Sequence, residues 1–264
     1  MSHEPLLKLT DVSKFYHGPA GAKINILDKI NLNINSGEGK GNVTSVLAPY
    51  MAGKSTLLKI IAGIEKLSSG MVSLNGKDYS SPEGKAVYIP ERPSSFPWLN
   101  VKENIEFGLS IKNPGIPGRS ADELISIVGL TGYENHFPHK NSLGFRFRIS
   151  LARAMALNPA LILLDEPFRN IHGETKEEMY ELIKFVSGEI GQNIVLATTN
   201  ITEAIRLSSS IYLMKKNPAV IIKEIKGGSL PVSSKDEPEY LKIRAEIENS
   251  FGSYHLKNTV NFSI

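Results

Sequence analysis

An α/β fold built around a mostly parallel sheet is predicted by three observations. Gly53-Lys54-Ser55-Thr56 comes just after the apolar run Val43–Leu47, the pattern of a strand entering a phosphate loop and then a helix. Residues 161–164, all Leu or Ile, run into Asp165-Glu166-Pro167, so a buried strand delivers two carboxylates at its carboxyl end. Further apolar runs at 194–197 and 211–214 follow, the first separated from 161–164 by a helical pattern over 176–186. Strands alternating with helices make a parallel sheet whose ligands bind beyond the carboxyl ends of the strands.

The elements can be justified in chain order. Residues 6–15 and 24–34 alternate apolar and polar side chains and predict two antiparallel strands at the edge of the domain. Residues 37–41 predict a flexible hairpin. Residues 57–63 continue as a helix whose first turn holds Ser55 and Thr56. Residues 71–74 read as a strand entering a tight turn at Asn75-Gly76. Residues 87–89 form a short buried strand ended by Pro90. From 93 to about 157 the pattern is helical, broken by a Pro- and Gly-rich stretch at 113–118. Residues 236–251 predict an amphipathic helix that docks onto its own domain.

The two motifs together call for a nucleoside triphosphate. Its phosphates are strongly anionic and need aimed N–H groups, a cation and a metal. The amides and dipole at the start of the helix would face the phosphates. Lys54 would reach the β- and γ-phosphates, and the Ser55 hydroxyl would ligate Mg²⁺. Asp165 would hold the metal through water, and Glu166 would orient or deprotonate the attacking water.

Composition narrows the remaining choices. A chain of 264 residues buries a full core and fits one medium domain with an appendage. A net charge of +3 makes no demand for nucleic acid, and none is expected as a partner. No apolar run reaches the roughly 18 residues of a membrane span, and residues 1–5 lack the features of a signal peptide. With no cysteine, disulfides and thiol catalysis are excluded. His136 and His139 lack a third ligand and are set aside as a metal site.

Residues 142–154, Ser-Leu-Gly-Phe-Arg-Phe-Arg-Ile-Ser-Leu-Ala-Arg-Ala, lie shortly before the carboxylate strand. In that place and order they resemble the signature of the ATP-binding subunits of ABC transporters, a likeness that extends along essentially the whole chain. Residues 96–105 and the tail 236–244 resemble the branch that imports nitrate, sulfonates and taurine. The resemblance implies the ABC ATPase fold, with an antiparallel β subdomain and an inserted helical subdomain at about 93–157. Residues 1–230 would be the nucleotide-binding domain and 231–264 a helical C-terminal extension.

The resemblance also implies partners and roles. Two cassettes, identical or not, close head to tail on ATP and Mg²⁺, driving integral membrane subunits served by a solute-binding protein. That puts the chain in the cytoplasm, on the inner face of the membrane. Tyr16 would stack on adenine, and Ala48, Pro49, Tyr50, Met51, Ala52, Gly53, Lys54, Ser55 and Thr56 would form the phosphate loop. Ser142, Leu143 and Gly144 would complete the partner's ATP site. Ser55, Asp165 and Glu91 would face Mg²⁺. Phe96, Pro97 and Trp98 would meet the membrane subunit, an aromatic cluster being suited to an interface.

Several positions depart from the family pattern. Ala48 and Met51 stand where the loop has glycines, and Met51 is expected to crowd the phosphate space or force a different loop. Glu91 replaces a glutamine, Leu143 a glycine, His172 an aspartate and Thr199 the histidine that braces the γ-phosphate. Thr199 therefore joins Glu166 as a catalytic-position residue of altered chemistry, and slow hydrolysis by a homodimer is expected. The alternatives are a degenerate, non-hydrolytic subunit paired with an intact ATPase, and a nucleotide-dependent regulator without membrane subunits.

Overall fold

The computed structural model describes residues 4–18, 21–37, 40–78, 85–92, 94–111, 118–226 and 230–252. Residues 38–39 of the predicted turn at 37–41 and residues 113–117 of the break at 113–118 lie outside these residues. A six-stranded sheet has the order β10-β9-β3-β8-β7-β6. Its members are β3 (Val43–Leu47), β6 (Ala86–Ile89), β7 (Leu161–Asp165), β8 (Ile194–Thr198), β9 (Ser210–Lys215) and β10 (Val220–Lys226). All neighbours pair in parallel except the antiparallel β9–β10 edge. A second, four-stranded antiparallel sheet has the order β2-β1-β4-β5, from β1 (Leu7–His17), β2 (Lys23–Ile34), β4 (Ser69–Leu74) and β5 (Lys77–Asp78).

Period-two alternation sends the central strands into two cores. Ile162, Leu164, Ile194 and Leu196 face one side, where the helical segment covers them. Leu161, Leu163, Val195 and Ala197 face the other, against α1 (Lys54–Ile61) and the antiparallel sheet. Burial on both faces explains why these strands read as unbroken apolar runs. In the antiparallel sheet, β1 and β2 bury mainly alternate positions, as their pattern predicted.

The helical segment comprises α2 (Val101–Ser110), α3 (Ala121–Ile127) and α4 (Leu143–Ala156). Asn100 with Glu103 and Ser120 with Glu123 form reciprocal capping boxes that fix the first two starts. Buried Asn104 holds the preceding turn. Its amide oxygen accepts from Phe96 N at 2.8 Å, and its amide nitrogen donates to Leu99 O at 2.9 Å.

α5 (Gly173–Gly188) precedes β8, and the short α6 (Ile201–Leu207) links β8 to β9. The tail helix α7 (Pro238–Gly252) buries Tyr240, Ile243, Ile247 and Phe251. This face packs on Ile201 and Ile205 of α6, Ile211 and Leu213 of β9 and Ile225 of β10. The expected docking onto the same domain is therefore observed.

Candidate functional site

Three adjacent strands bring the motif residues together. β3 leads into the phosphate loop, its neighbour β8 ends before Thr199, and β7 ends at Asp165, just before Glu166. A cavity of about 360 Å³ lies beyond these ends. It is lined by Ile26, the loop residues Tyr50 to Thr56, and Glu91, Glu166 and Arg169.

The loop closes with Ala48 and Met51 in place of glycines. Ala48 needs no left-handed backbone, is fully buried, and donates its N–H to Thr198 O at 3.2 Å. Met51 does sit in the left-handed region, at φ 60°, which costs a non-glycine residue about 1–2 kcal/mol. The loop adopts the turn all the same, and the Met51 side chain is 82% exposed. Met51 thus holds a backbone conformation that favours glycine, and its side chain, though exposed, is among those lining the cavity. Gly53, at φ 90°, caps α1, and a Cβ there would lie 3.0 Å from Leu27 Cδ2.

Lys54 is buried and fully engaged. Its Nζ lies 3.0 Å from Glu166 Oε1 and donates to the Ala48 and Pro49 carbonyls at 3.1 and 3.2 Å. Glu166 also sits at positive φ, 46°, so the strand end is bent to aim its carboxylate. Its Oε2 accepts from the Thr199 N–H at 3.2 Å and from the Thr199 hydroxyl at 3.3 Å. A threonine at this position can orient the carboxylate. It cannot supply the charge or proton of an imidazole.

Asp165 is divided between two environments. Its Oδ2 accepts from the Tyr88 hydroxyl at 2.7 Å, while Oδ1 is buried with no protein partner. Burial, then the Asp165 carboxylate, push the Tyr88 phenol far up, so it donates at any working pH. A buried, orphaned carboxylate oxygen at the end of β7 fits a hard, oxygen-seeking cation such as Mg²⁺. Glu91, by contrast, is paired with Arg169 Nη1 at 3.2 Å.

The remaining candidates lie apart from the cavity wall. Tyr16 stands outside the lining, 41% exposed, with its hydroxyl on Glu65 and the Lys14 ammonium 4.8 Å from its ring centroid. Ser142 caps α4 by accepting from Phe145 N at 3.3 Å and is exposed, and Leu143 opens the helix. Gly144 is buried, and a Cβ there would meet Thr175 Cγ2 at 2.7 Å. Trp98 is 69% exposed and stacks on Phe96 at 5.3 Å, beside Pro97, whose carbonyl contacts His139 Nδ1. Among the described residues no cluster of metal-ligating side chains includes His136 and His139.

Two residues of the site escape a linear reading. Tyr88 sits three residues before Glu91 in a strand that reads only as apolar. Arg169 reaches Glu91 across 78 positions of sequence. An unexpected carboxylate at 91 was the one signal that a countercharge was needed.

Comparisons with known proteins agree with this geometry. A family model described as ABC transporter matches residues 27–169. The chain is 32% identical over 249 residues to the taurine import ATP-binding protein TauB of Pelagibacter ubique, covering 90% of this chain and 91% of that one. It is 32% identical over 245 residues to the aliphatic sulfonates import ATP-binding protein SsuB of Bacillus cereus, covering 93% and 95%. The dimeric post-hydrolysis structure of the ATP-binding cassette MJ0796 bound to ADP and Pi superposes with a TM-score of 0.71 at 28% identity. That match covers 83% of this chain and 98% of the cassette.

Proposed function

From the premise that this chain belongs to the ABC transporter family, we infer that it is the ATP-binding subunit of an importer. It couples ATP binding and turnover to solute uptake through membrane subunits. The single observation that carries this is the convergence of Lys54, Asp165, Glu166 and Thr199 at the ends of three neighbouring strands. The two relatives at 32% identity are both import ATP-binding proteins. A degenerate, non-hydrolytic partner subunit gains no support: the loop is formed and both carboxylates are in place. Calorimetric titration of Mg-ATP tests the proposal, and a folded chain that binds none would reject it.

Bound ATP would lie along Tyr50 to Thr56 with its terminal phosphate toward Glu166. Mg²⁺ held by Ser55 and Asp165 would neutralise charge on the phosphate oxygens. Lys54 would exchange Glu166 for phosphate, freeing the carboxylate to take a proton from water. Thr199 would keep that carboxylate aimed. Tyr16 would carry adenine, and Ser142, Leu143 and Gly144 would close on the nucleotide of a second cassette.

Tyr88 has a measurable role in this scheme. Tyr88→Phe removes the donor on Asp165 Oδ2 and is expected to raise the Mg²⁺ concentration for half-maximal ATP binding about tenfold. An unchanged Mg²⁺ dependence would remove Tyr88 from the site.

We place residues 1–230 as the nucleotide-binding domain and 231–264 as its extension, with the chain peripheral on the cytoplasmic face of the membrane. Among the described residues no helix is long and apolar enough to cross a membrane. Membrane subunits, and a solute-binding protein behind them, are the expected partners. A cleft of about 200 Å³ lined by Phe96, Phe107, Ile111 and Arg153 adjoins exposed Trp98 and is proposed to receive the membrane subunit. Trp98→Ala should weaken that association by about 2 kcal/mol while leaving ATP affinity unchanged. Equal ATP affinity with undiminished association, measured by co-purification with the membrane subunits, would move the contact elsewhere.

A further inference from the structure

Arg169 is the feature of the site that the motifs leave unused. Its backbone N–H closes the turn after the catalytic strand by donating to Glu166 O at 3.2 Å. Its guanidinium lies 4.6 Å from the Tyr50 ring centroid and donates to Glu91 Oε1 at 3.2 Å. One side chain thus ties together the phosphate loop, the Glu91 loop and the carboxylate strand. Arg169 and Lys54 are the two cations among the residues lining the cavity.

Charge explains why such a residue is needed. Lys54 is matched by Glu166, which leaves Glu91 as the other carboxylate lining the cavity. An unpaired carboxylate at 91 would repel a triphosphate. Paired with Arg169 it is neutral, and a planar fork of five N–H donors can hold a carboxylate and a phosphate oxygen at once. The pair is partly exposed, with side chains 37% and 40% accessible, so the guanidinium can shift without unburying a charge. Its attachment three residues after Glu166 keeps it with that carboxylate in the cavity wall.

We infer that Arg169 is a further phosphate-binding residue of this site, held on Glu91 when empty and engaging the terminal phosphate of a bound triphosphate. This rests on the nucleotide-binding function proposed above. It assigns the positive role at the γ-phosphate, vacant at Thr199, to a side chain from a different loop.

The test compares ATP and ADP affinities, with Mg²⁺, for the unmodified chain, Arg169→Ser, Arg169→Lys, Glu91→Gln and Lys54→Ala. Arg169→Ser is expected to weaken ATP about tenfold and ADP less than about twofold, because only ATP carries the terminal phosphate. Arg169→Lys should recover part of the loss, and Glu91→Gln should bind ATP at least as tightly as the unmodified chain. Equal weakening of ATP and ADP, or no change in either, would overturn the role of Arg169. So would a loss of both accompanied by a fall in melting temperature, which marks a structural pair. Lys54→Ala separates the two levels: if it binds both nucleotides as the unmodified chain does, the site itself is misplaced and the inference falls with it.

Discussion

Lys54→Ala will lose at least about 100-fold in Mg-ATP affinity, because it removes a buried, charge-assisted contact to phosphate. The same change acts on the empty protein. Glu166 would remain buried with its Oε1 facing no cation, and breaking a buried pair from one side costs about 3–5 kcal/mol. Pairing Lys54→Ala with Glu166→Gln should therefore restore part of the stability but none of the binding. Chemical denaturation of the two single variants and the double variant measures the first effect, and calorimetry the second. A Lys54→Ala protein of full stability and undiminished affinity would show that the lysine is ornamental to this loop.

Glu166→Gln should separate binding from turnover. The amide keeps the shape of the carboxylate and can still accept from Thr199, so the loop after β7 holds its bend. It cannot take a proton, and losing a positioned general base lowers turnover by about 10²–10⁴. ATP binding should hold or tighten, since Lys54 is no longer claimed by an internal anion. Single-turnover phosphate release with the nucleotide saturating is the measurement. Turnover equal to that of the unmodified chain would mean that another group activates the water. If the unmodified homodimer is itself slow, as Thr199 and Leu143 lead us to expect, the comparison needs a long time course.

Much of the architecture was legible because the signals are local. Val43 to Leu47 and the apolar runs at 161 and 194 are buried on both faces, and no other element type accommodates such short runs between turns. The α7 face at Tyr240, Ile243, Ile247 and Phe251 follows helical spacing. α6 was missed: with seven residues it spans two turns, too few for periodicity to stand out. β10 was missed as well. Only Ile225 of its seven residues is buried, and its place is set by antiparallel pairing to β9.

The site divides along the same line. Lys54, Ser55, Asp165 and Glu166 belong to contiguous motifs and could be named from the chain alone. Tyr88, Arg169 and the exposure of Met51 depend on how distant loops meet. A methionine in a glycine position reads as an obstruction, but its consequence is decided by a backbone angle and an open direction for its side chain. Glu91 reads as a stray charge until its arginine is seen.

The place of β3 in the sheet has a consequence in time. Its two hydrogen-bonding neighbours are β8 and β9, which begin roughly 150 residues or more further along the chain. At a synthesis rate of about 5–20 residues per second, the phosphate loop leaves the ribosome about seven to thirty seconds before the strands that flank it. During that interval the segment has no sheet to join, and ATP has nothing rigid to bind. Nucleotide therefore rewards the finished molecule instead of guiding its assembly. A growing chain of this protein must rely on other means to keep residues 43–61 from sticking to their surroundings.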